Sequence, residues 1–182
     1  MRKVIVTEFM SLDGVMESPE KWSLSYWDDE IGKLKFDELF AVDALLLGRV
    51  TYEVFAAAWP SRTDETGYAD RMNNLPKYVV STTLSKPEWN NTQVIKGDLA
   101  GEVTRLKQQP GQNILVFGSA QLAAALLEED LVDEYRLLVY PVVLGAGKRL
   151  FSEANKAGLR LLDTRKYNSG VVLLTYGKSV AV

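Results

Sequence analysis

The sequence predicts an α/β protein: a mostly parallel central sheet closed at one side by a C-terminal antiparallel hairpin. Three observations lead there. Short apolar runs alternate with segments of helical apolar spacing, the pattern of strands joined by crossover helices. The run Ile114-Leu-Val-Phe-Gly-Ser-Ala-Gln-Leu122 passes from a buried strand through a Gly-Ser pair directly into a helix marked by Leu122, Leu126 and Leu127. Finally, Asn168-Ser-Gly170 separates two strand-like runs, a hairpin signal that supplies an antiparallel edge to a mixed sheet.

Taken in order, Val4–Met10 reads as the first strand, Ser11–Val15 as a turn, and the stretch to Trp27 as a long loop carrying Trp22, Tyr26 and Trp27. A loop of that length in a small domain is more often functional than filler. Asp29–Phe40 places Ile31, Leu34, Phe36, Leu39 and Phe40 near helical spacing. Ala44–Leu47 is too short for a helix and reads as a buried strand ending at Gly48. Val50–Trp59 is helical and stops at Pro60. Ser61–Asn74 is polar and fits no template. Tyr78–Ser81 and Gln93–Lys96 read as strands, and Asp98 caps a helix that Pro110-Gly111 ends. Asn113–Phe117 is a strand, Ser119–Glu129 a helix, and Glu134–Val143 a long strand. Arg160–Lys166 and Val171–Tyr176 form the hairpin.

Composition bounds the chemistry. The 182 residues suffice for one compact domain, and 47% apolar with 25% charged residues is ordinary for a globular protein. A formal net charge of −3 argues against a nucleic-acid binder that works by broad charge neutralisation. With no Cys and no His, disulfides, thiolate or imidazole metal sites, Cys nucleophiles and His general bases are all excluded. No calcium-loop spacing appears, so no metal is expected. The first residues are a strand rather than a signal peptide, and no apolar run reaches membrane-spanning length. A cytoplasmic, non-membrane protein is therefore expected.

In an open α/β sheet, ligands bind beyond the carboxyl ends of the strands. Four such ends here carry suitable groups: Gly48, Arg49 and Thr51; Ser81 and Thr82; Lys96; and Gly118 with Ser119, Ala120 and Gln121. Each has an ordinary structural reading by itself. Together, a guanidinium fork, hydroxyls, an ammonium and the free N–H groups of a helix start suit a phosphorylated ligand. Trp22 and Trp27 are candidates to stack on a planar heterocycle, whereas Phe36, Phe55 and Trp59 read as core.

These segments carry a resemblance. Leu46-Leu-Gly-Arg-Val-Thr-Tyr-Glu53 is similar to the Gly-Arg-x-Thr segment of dihydrofolate reductases. Phe9-Met-Ser-Leu-Asp-Gly-Val15, Leu131-Val-Asp-Glu134 and Pro141-Val-Val-Leu-Gly-Ala-Gly-Lys-Arg-Leu-Phe151 resemble the reductase domain of riboflavin biosynthesis. The likeness runs from about Val4 to Tyr176 with its motifs in family order. It implies a dihydrofolate-reductase-like three-layer α/β/α fold, NADPH as hydride donor, and a homodimer. Carried over by position, Gly48, Arg49 and Thr51 would sit at the cofactor phosphates. Ser81, Thr82 and Lys96 would hold the adenosine 2′-phosphate, and Gly118, Ser119, Ala120 and Gln121 would wrap the pyrophosphate. Trp22 would lie beside the nicotinamide. Arg49 and Lys96 fit NADP better than NAD, whose enzymes favour a carboxylate near the ribose.

Two departures from the resembled families matter. Riboflavin-pathway reductases usually read Val-Glu-Gly-Gly where this chain has Val116-Phe-Gly-Ser119, and Phe117 cannot replace a carboxylate. Dihydrofolate reductases place one acid before the Gly-Arg strand; the matching interval lands near Gly32, with Asp28, Asp29 and Glu30 close by. Asp29, Glu30 and the turn residue Asp13 are thus the candidate catalytic acids, although acids at a helix start also complement its dipole. The expectation is an NADPH-dependent oxidoreductase acting on a small heterocycle, of the riboflavin-pathway pyrimidine type or the folate type. The rival reading is a non-catalytic sensor or scaffold dimer that binds NADP(H) or a flavin.

Overall fold

A computed structural model describes residues 1–151 and 156–179. Eight strands form one sheet in the order β4-β3-β2-β5-β1-β6-β8-β7. They are β1 (Val4–Ser11), β2 (Val42–Gly48), β3 (Lys77–Val80), β4 (Thr92–Ile95), β5 (Asn113–Val116), β6 (Glu134–Tyr140), β7 (Leu159–Lys166) and β8 (Val172–Lys178). From β4 to β6 every pairing is parallel, and β8 and β7 complete the sheet antiparallel. The α/β fold with its antiparallel C-terminal hairpin is therefore present as the sequence predicts.

Among the described residues, five α-helices cover the sheet: α1 (Asp29–Phe40), α2 (Arg49–Ala58), α3 (Tyr68–Asn74), α4 (Leu99–Gln108) and α5 (Ala120–Glu128). Strand alternation sorts the core into two layers. Val4, Val6, Ala44, Leu46, Ile114 and Val116 face α4 and α5. Ile5, Leu45, Leu47 and Leu115 face the other way, toward Leu39 of α1, Tyr52 of α2 and Met72 of α3. Adjacent residues thus belong to opposite layers, as a central strand buried on both faces requires.

The helix starts follow local chemistry. Asp28, Asp98 and Ser119 each accept a hydrogen bond from the backbone N–H three residues on, which satisfies one free donor per helix. Helix α3 lies inside the stretch that fits no sequence template. Its first N–H groups donate to Asp64, at 3.1 Å for Tyr68 and 2.6 Å for Ala69, and with the hydroxyl bond from Thr66, the largest contributor, they hold the Asp64 carboxyl at about 2. The cap sits upstream of Gly67, whose φ of +78° turns the chain, so no residue at the usual cap position announces the helix.

One boundary differs from expectation. The strand predicted to run to Val143 ends at Tyr140, because Pro141 has no N–H to continue the ladder. The segment after it stays beside the end of β1, with Leu12 N–H donating to Val142 O at 2.8 Å. Among the described residues, no helix is long and apolar enough to cross a membrane.

Candidate functional site

Because β4, β3, β2, β5 and β1 are parallel neighbours, their carboxyl ends share one edge of the sheet. Along it stand Lys96, then Ser81 with Thr82, then Gly48, Arg49 and Thr51, then Gly118 to Gln121. Lys96, Thr82, Arg49 and Gln121 are exposed, Ala120 is half-buried, and Ser81 is buried. Ser81 Oγ accepts from Leu84 N–H at 3.0 Å and Thr83 N–H at 3.2 Å, so this hydroxyl shapes its own turn. Arg49 bridges both oxygens of Glu53 at 2.9 Å, one helical turn on.

The tightest point of this edge is where two helix starts meet. Gly48 N–H donates to Gly118 O at 2.9 Å. A methyl group on Gly48 would lie 2.5 Å from Ser119 Oγ and 2.9 Å from Ser119 N. Glycine is needed here for close approach, since its own φ of −73° is open to any residue. Gly118, at φ +117° and followed by a cis peptide to Ser119, needs glycine for its conformation. The result is that the N-termini of α2 and α5 lie side by side. Such a spot favours phosphate.

Strand β1 adds a second feature. It pairs with β5 over Val4–Val6 only, but with β6 from Ile5 to Ser11. Beyond Val6, then, its β5 side is open, because the Phe117–Ser119 segment swings toward β2. Glu8 lies in this notch. It is 6% exposed, and its Oε1 is buried with no hydrogen-bond partner among the described residues. Burial pushes the Glu8 carboxyl up to about 8, against the opposing pull of Lys35. The sequence reading did not single Glu8 out. The signal was present, since Thr7-Glu8 is a polar pair inside an otherwise apolar strand, which places one polar group on each sheet face.

On the opposite face, Thr7 and Phe9 of β1 meet α1. Lys35 Nζ donates to Thr7 Oγ1 at 2.8 Å and to Glu38 Oε2 at 2.7 Å, and lies 5.3 Å from the ring centres of both Phe9 and Phe117. Lys35 and Glu38 are buried, and Arg136 Nη1 stands 3.6 Å from Glu38 Oε1. Gly32, where the expected interval placed an acid, lets the Trp27 ring come close; a methyl there would sit 3.7 Å from it. Trp27 is 48% exposed and tilts against Phe9, with 6.4 Å between ring centres. Trp22 packs edge-on against Tyr140 at 5.4 Å and donates from Nε1 to Glu17 O at 3.0 Å.

The candidate acids are dispersed. Asp13 accepts from Ser11 Oγ at 2.7 Å, Leu144 N–H at 3.1 Å and Gly145 N–H at 2.8 Å, which holds its carboxyl at about 2. Its charge ties the first turn to the loop after β6. Asp29 is exposed, and Glu30 accepts from Asn168 Nδ2 at 3.1 Å. Of the three successive acids, Asp28 reaches inward. Its Oδ1 caps α1 and its Oδ2 is buried with no partner among the described residues. The hydroxyl of the fully buried Tyr140 is likewise unpartnered, and burial and the Asp28 charge both disfavour its ionisation.

Comparison with known proteins completes the description. A family model for the RibD C-terminal domain matches residues 2–173. The Bacillus subtilis (strain 168) protein YyaP is 32% identical over 182 residues, covering 96% of this chain and 94% of that protein. A putative riboflavin biosynthesis protein from Shewanella sp. PV-4 superposes with a TM-score of 0.76 at 22% identity, covering 98% of this chain and 99% of that one. Dihydrofolate reductase from Enterococcus faecalis, solved with NADP(H), superposes with a TM-score of 0.65 at 14% identity, covering 98% and 97%.

Proposed function

Since the chain belongs to the RibD C-terminal domain family, we propose that it is an NADPH-dependent reductase of a small heterocyclic substrate. The observation that carries this reading is the contact between Gly48 and Ser119, which brings two helix N-termini together at the centre of the strand-end edge. Arg49, Thr51 and Gly118 to Gln121 hold the diphosphate there, while Ser81, Thr82 and Lys96 serve the 2′-phosphate further along the same edge. The residues fit the group, since the glycines leave room for backbone approach and the exposed cations on this edge are Arg49 and Lys96. Bound NADPH supplies the hydride.

The substrate lies on the α1 side, against Phe9 and Trp27, with Trp22 beside it. These rings set the plane of a flat heterocycle and keep water from it. Among the acids first considered (Asp13, Asp29, Glu30 and their neighbour Asp28), Asp28 is best placed to act on a buried substrate, with the Tyr140 hydroxyl as a second buried polar group that has no partner among the described residues. Asp13 serves the turn. Phe117, standing where riboflavin-pathway reductases carry Glu, favours a substrate other than a ribosylated pyrimidine.

NADPH and NADH binding to wild type and Arg49→Ala, by calorimetry, tests this reading. NADPH is expected to bind at least about tenfold tighter than NADH, and Arg49→Ala to weaken it by about 1.5–3 kcal/mol, the range for a hydrogen bond to a charged group. Binding of neither nucleotide by folded wild type overturns the proposal. A screen of pterins, pyrimidines and quinones for NADPH oxidation then finds the substrate.

A homodimer is part of the same proposal. Outer strand β7 leaves seven of its eight residues exposed, among them Leu161 at 50% and Leu162 at 47%. An open edge strand with exposed leucines among its charges is a ready pairing surface. Leu161→Lys is expected to shift the protein from dimer to monomer in light scattering without loss of folded structure; an unchanged mass in wild type and variant would place any interface elsewhere.

A further inference from the structure

We propose that Glu8 is a ligand-binding residue that works as an un-ionised carboxylic acid, donating a hydrogen bond to an oxygen of the bound dinucleotide in the notch beside Gly118. The inference rests on the reductase reading above for the identity of that ligand.

Three observations place the donor. The side of Gly118 that carries no side chain faces the carboxyl: a methyl there would lie 3.4 Å from Glu8 Oε1, 3.1 Å from Thr51 Oγ1 and 3.7 Å from Met16 Cε. Glu8 Oε1 and Thr51 Oγ1 therefore stand beside Gly118, where the α2 and α5 N-termini would hold a ligand. Secondly, Oε1 is buried without a partner among the described residues, and a polar atom in that condition costs free energy that a ligand contact recovers. Thirdly, among the described residues no cation is hydrogen-bonded to this carboxyl, and the pull of Lys35 offsets its burial only in part. Val6 and Met10 share its sheet face, Leu137 is its neighbour across β6, Met16 comes from the following loop and Thr51 from α2. None of these titrates in water. Lys35 of α1 is the charged side chain acting on Glu8, and its ammonium is already bonded to Glu38. The nearby Arg49 is bonded to Glu53, and Arg136 to Glu134.

The charge state follows. A carboxylate would face both an apolar pocket and the anionic diphosphate, whereas the neutral acid has a proton to donate. Burial raises the group to about 8, so it keeps its proton at neutral pH. Ionisation removes the donor and adds a repulsive charge, so affinity falls once the pH passes that value.

NADPH dissociation constants measured from pH 6.5 to 9.5 for wild type and Glu8→Gln test the proposal. Wild-type affinity is expected to fall steeply above about pH 8, approaching tenfold per unit, because one proton must be bound for the ligand to bind. Glu8→Gln, neutral throughout and close in shape, is expected to bind with little pH dependence. Repeating the series with 2′-phospho-ADP-ribose separates a diphosphate contact, which keeps the pH dependence, from a carboxamide contact, which loses it; both keep Glu8 as the donor. An identical pH profile in wild type and Glu8→Gln overturns the proposal. So does a carbon-13 NMR titration of glutamate-labelled wild type in which the Glu8 carboxyl, assigned by its absence in the variant, titrates near the ordinary 4.5. That second result leaves the reductase reading intact. Failure of wild type to bind NADPH even at pH 6.5 overturns the reductase reading instead, and with it the ligand assigned here.

Stability gives an independent readout. The folded group holds its proton more tightly than the unfolded chain does, so its contribution is complete below about 4.5 and is lost as the pH rises through about 8. Melting temperatures of Glu8→Gln are therefore expected to gain on those of wild type between pH 5 and 9.

Discussion

Gly48→Ala is expected to abolish dinucleotide binding while leaving a folded, less stable protein. The added methyl meets Ser119 Oγ at 2.5 Å and Ser119 N at 2.9 Å, both well inside contact distance. A side chain rotates away from such a clash, but the Ser119 backbone nitrogen does so only by moving the start of α5. That movement strains the Gly48 N–H to Gly118 O bond of 2.9 Å, the tie between the two strand ends. Overpacking of this kind costs about 1–3 kcal/mol, or roughly 2–4 °C of melting temperature per kcal/mol in a chain of this size. The functional loss is expected to be larger, at least about 100-fold in NADPH affinity, because displaced phosphate donors lose their geometry together. Gly97→Ala is the stability control: its methyl would meet nothing within 4 Å, and its melting temperature is expected to stay at the wild-type value. Undiminished NADPH binding by Gly48→Ala would show that the ligand does not use this crossing.

The largest loss of stability is expected from Glu38→Ala. Glu38 is 1% exposed, and its carboxylate neutralises the buried Lys35 ammonium at 2.7 Å. Attraction between buried charges roughly repays their dehydration, so the intact pair contributes little net stability. Removing one partner is different: it strands Lys35 between the Phe9 and Phe117 rings with a positive charge and one remaining side-chain acceptor, Thr7. About 3–5 kcal/mol is lost in such cases, here on the order of 10 °C. The double variant Lys35→Met with Glu38→Leu removes both charges and is expected to recover most of the difference, as thermal unfolding of the three variants would show. Additive losses in the double variant would mean that shape at these positions matters more than charge.

The Lys35–Glu38 pair also shows what the sequence does and does not disclose. Ile31, Lys35, Glu38 and Leu39 follow helical spacing and share one stripe of α1, which is buried. The helix was legible from Ile31, Leu34, Phe36, Leu39 and Phe40, but that apolar spacing says nothing of Lys35 and Glu38, which alternate with the exposed Lys33 and Asp37. Only the packed sheet shows that this stripe crosses Thr7 and Phe117. The strand ends tell a similar story. Gly48-Arg49 and Gly118-Ser119 are local signatures of strand-to-helix turns, so the candidate phosphate groups were visible residue by residue. Their adjacency was not, because β2 and β5 are far apart in sequence and neighbours in the sheet. Among the acids, spacing narrowed the choice to three consecutive residues, but helix phase at a cap is set by tertiary packing. Asp28 turns inward where Asp29 and Glu30 do not.

The position of β1 at the heart of the sheet also constrains how the chain is made. Its first residues bond to partners 110 and 129 positions downstream. A ribosome must deliver most of the polypeptide before this strand finds either neighbour, and until then an apolar segment waits with both edges unsatisfied. Sheets assembled from such distant partners close slowly, since chain entropy is spent before the reward arrives. Strand β1 is thus synthesised well before its neighbours and among the last elements secured, which makes the nascent chain a natural client for chaperones that shield extended apolar segments.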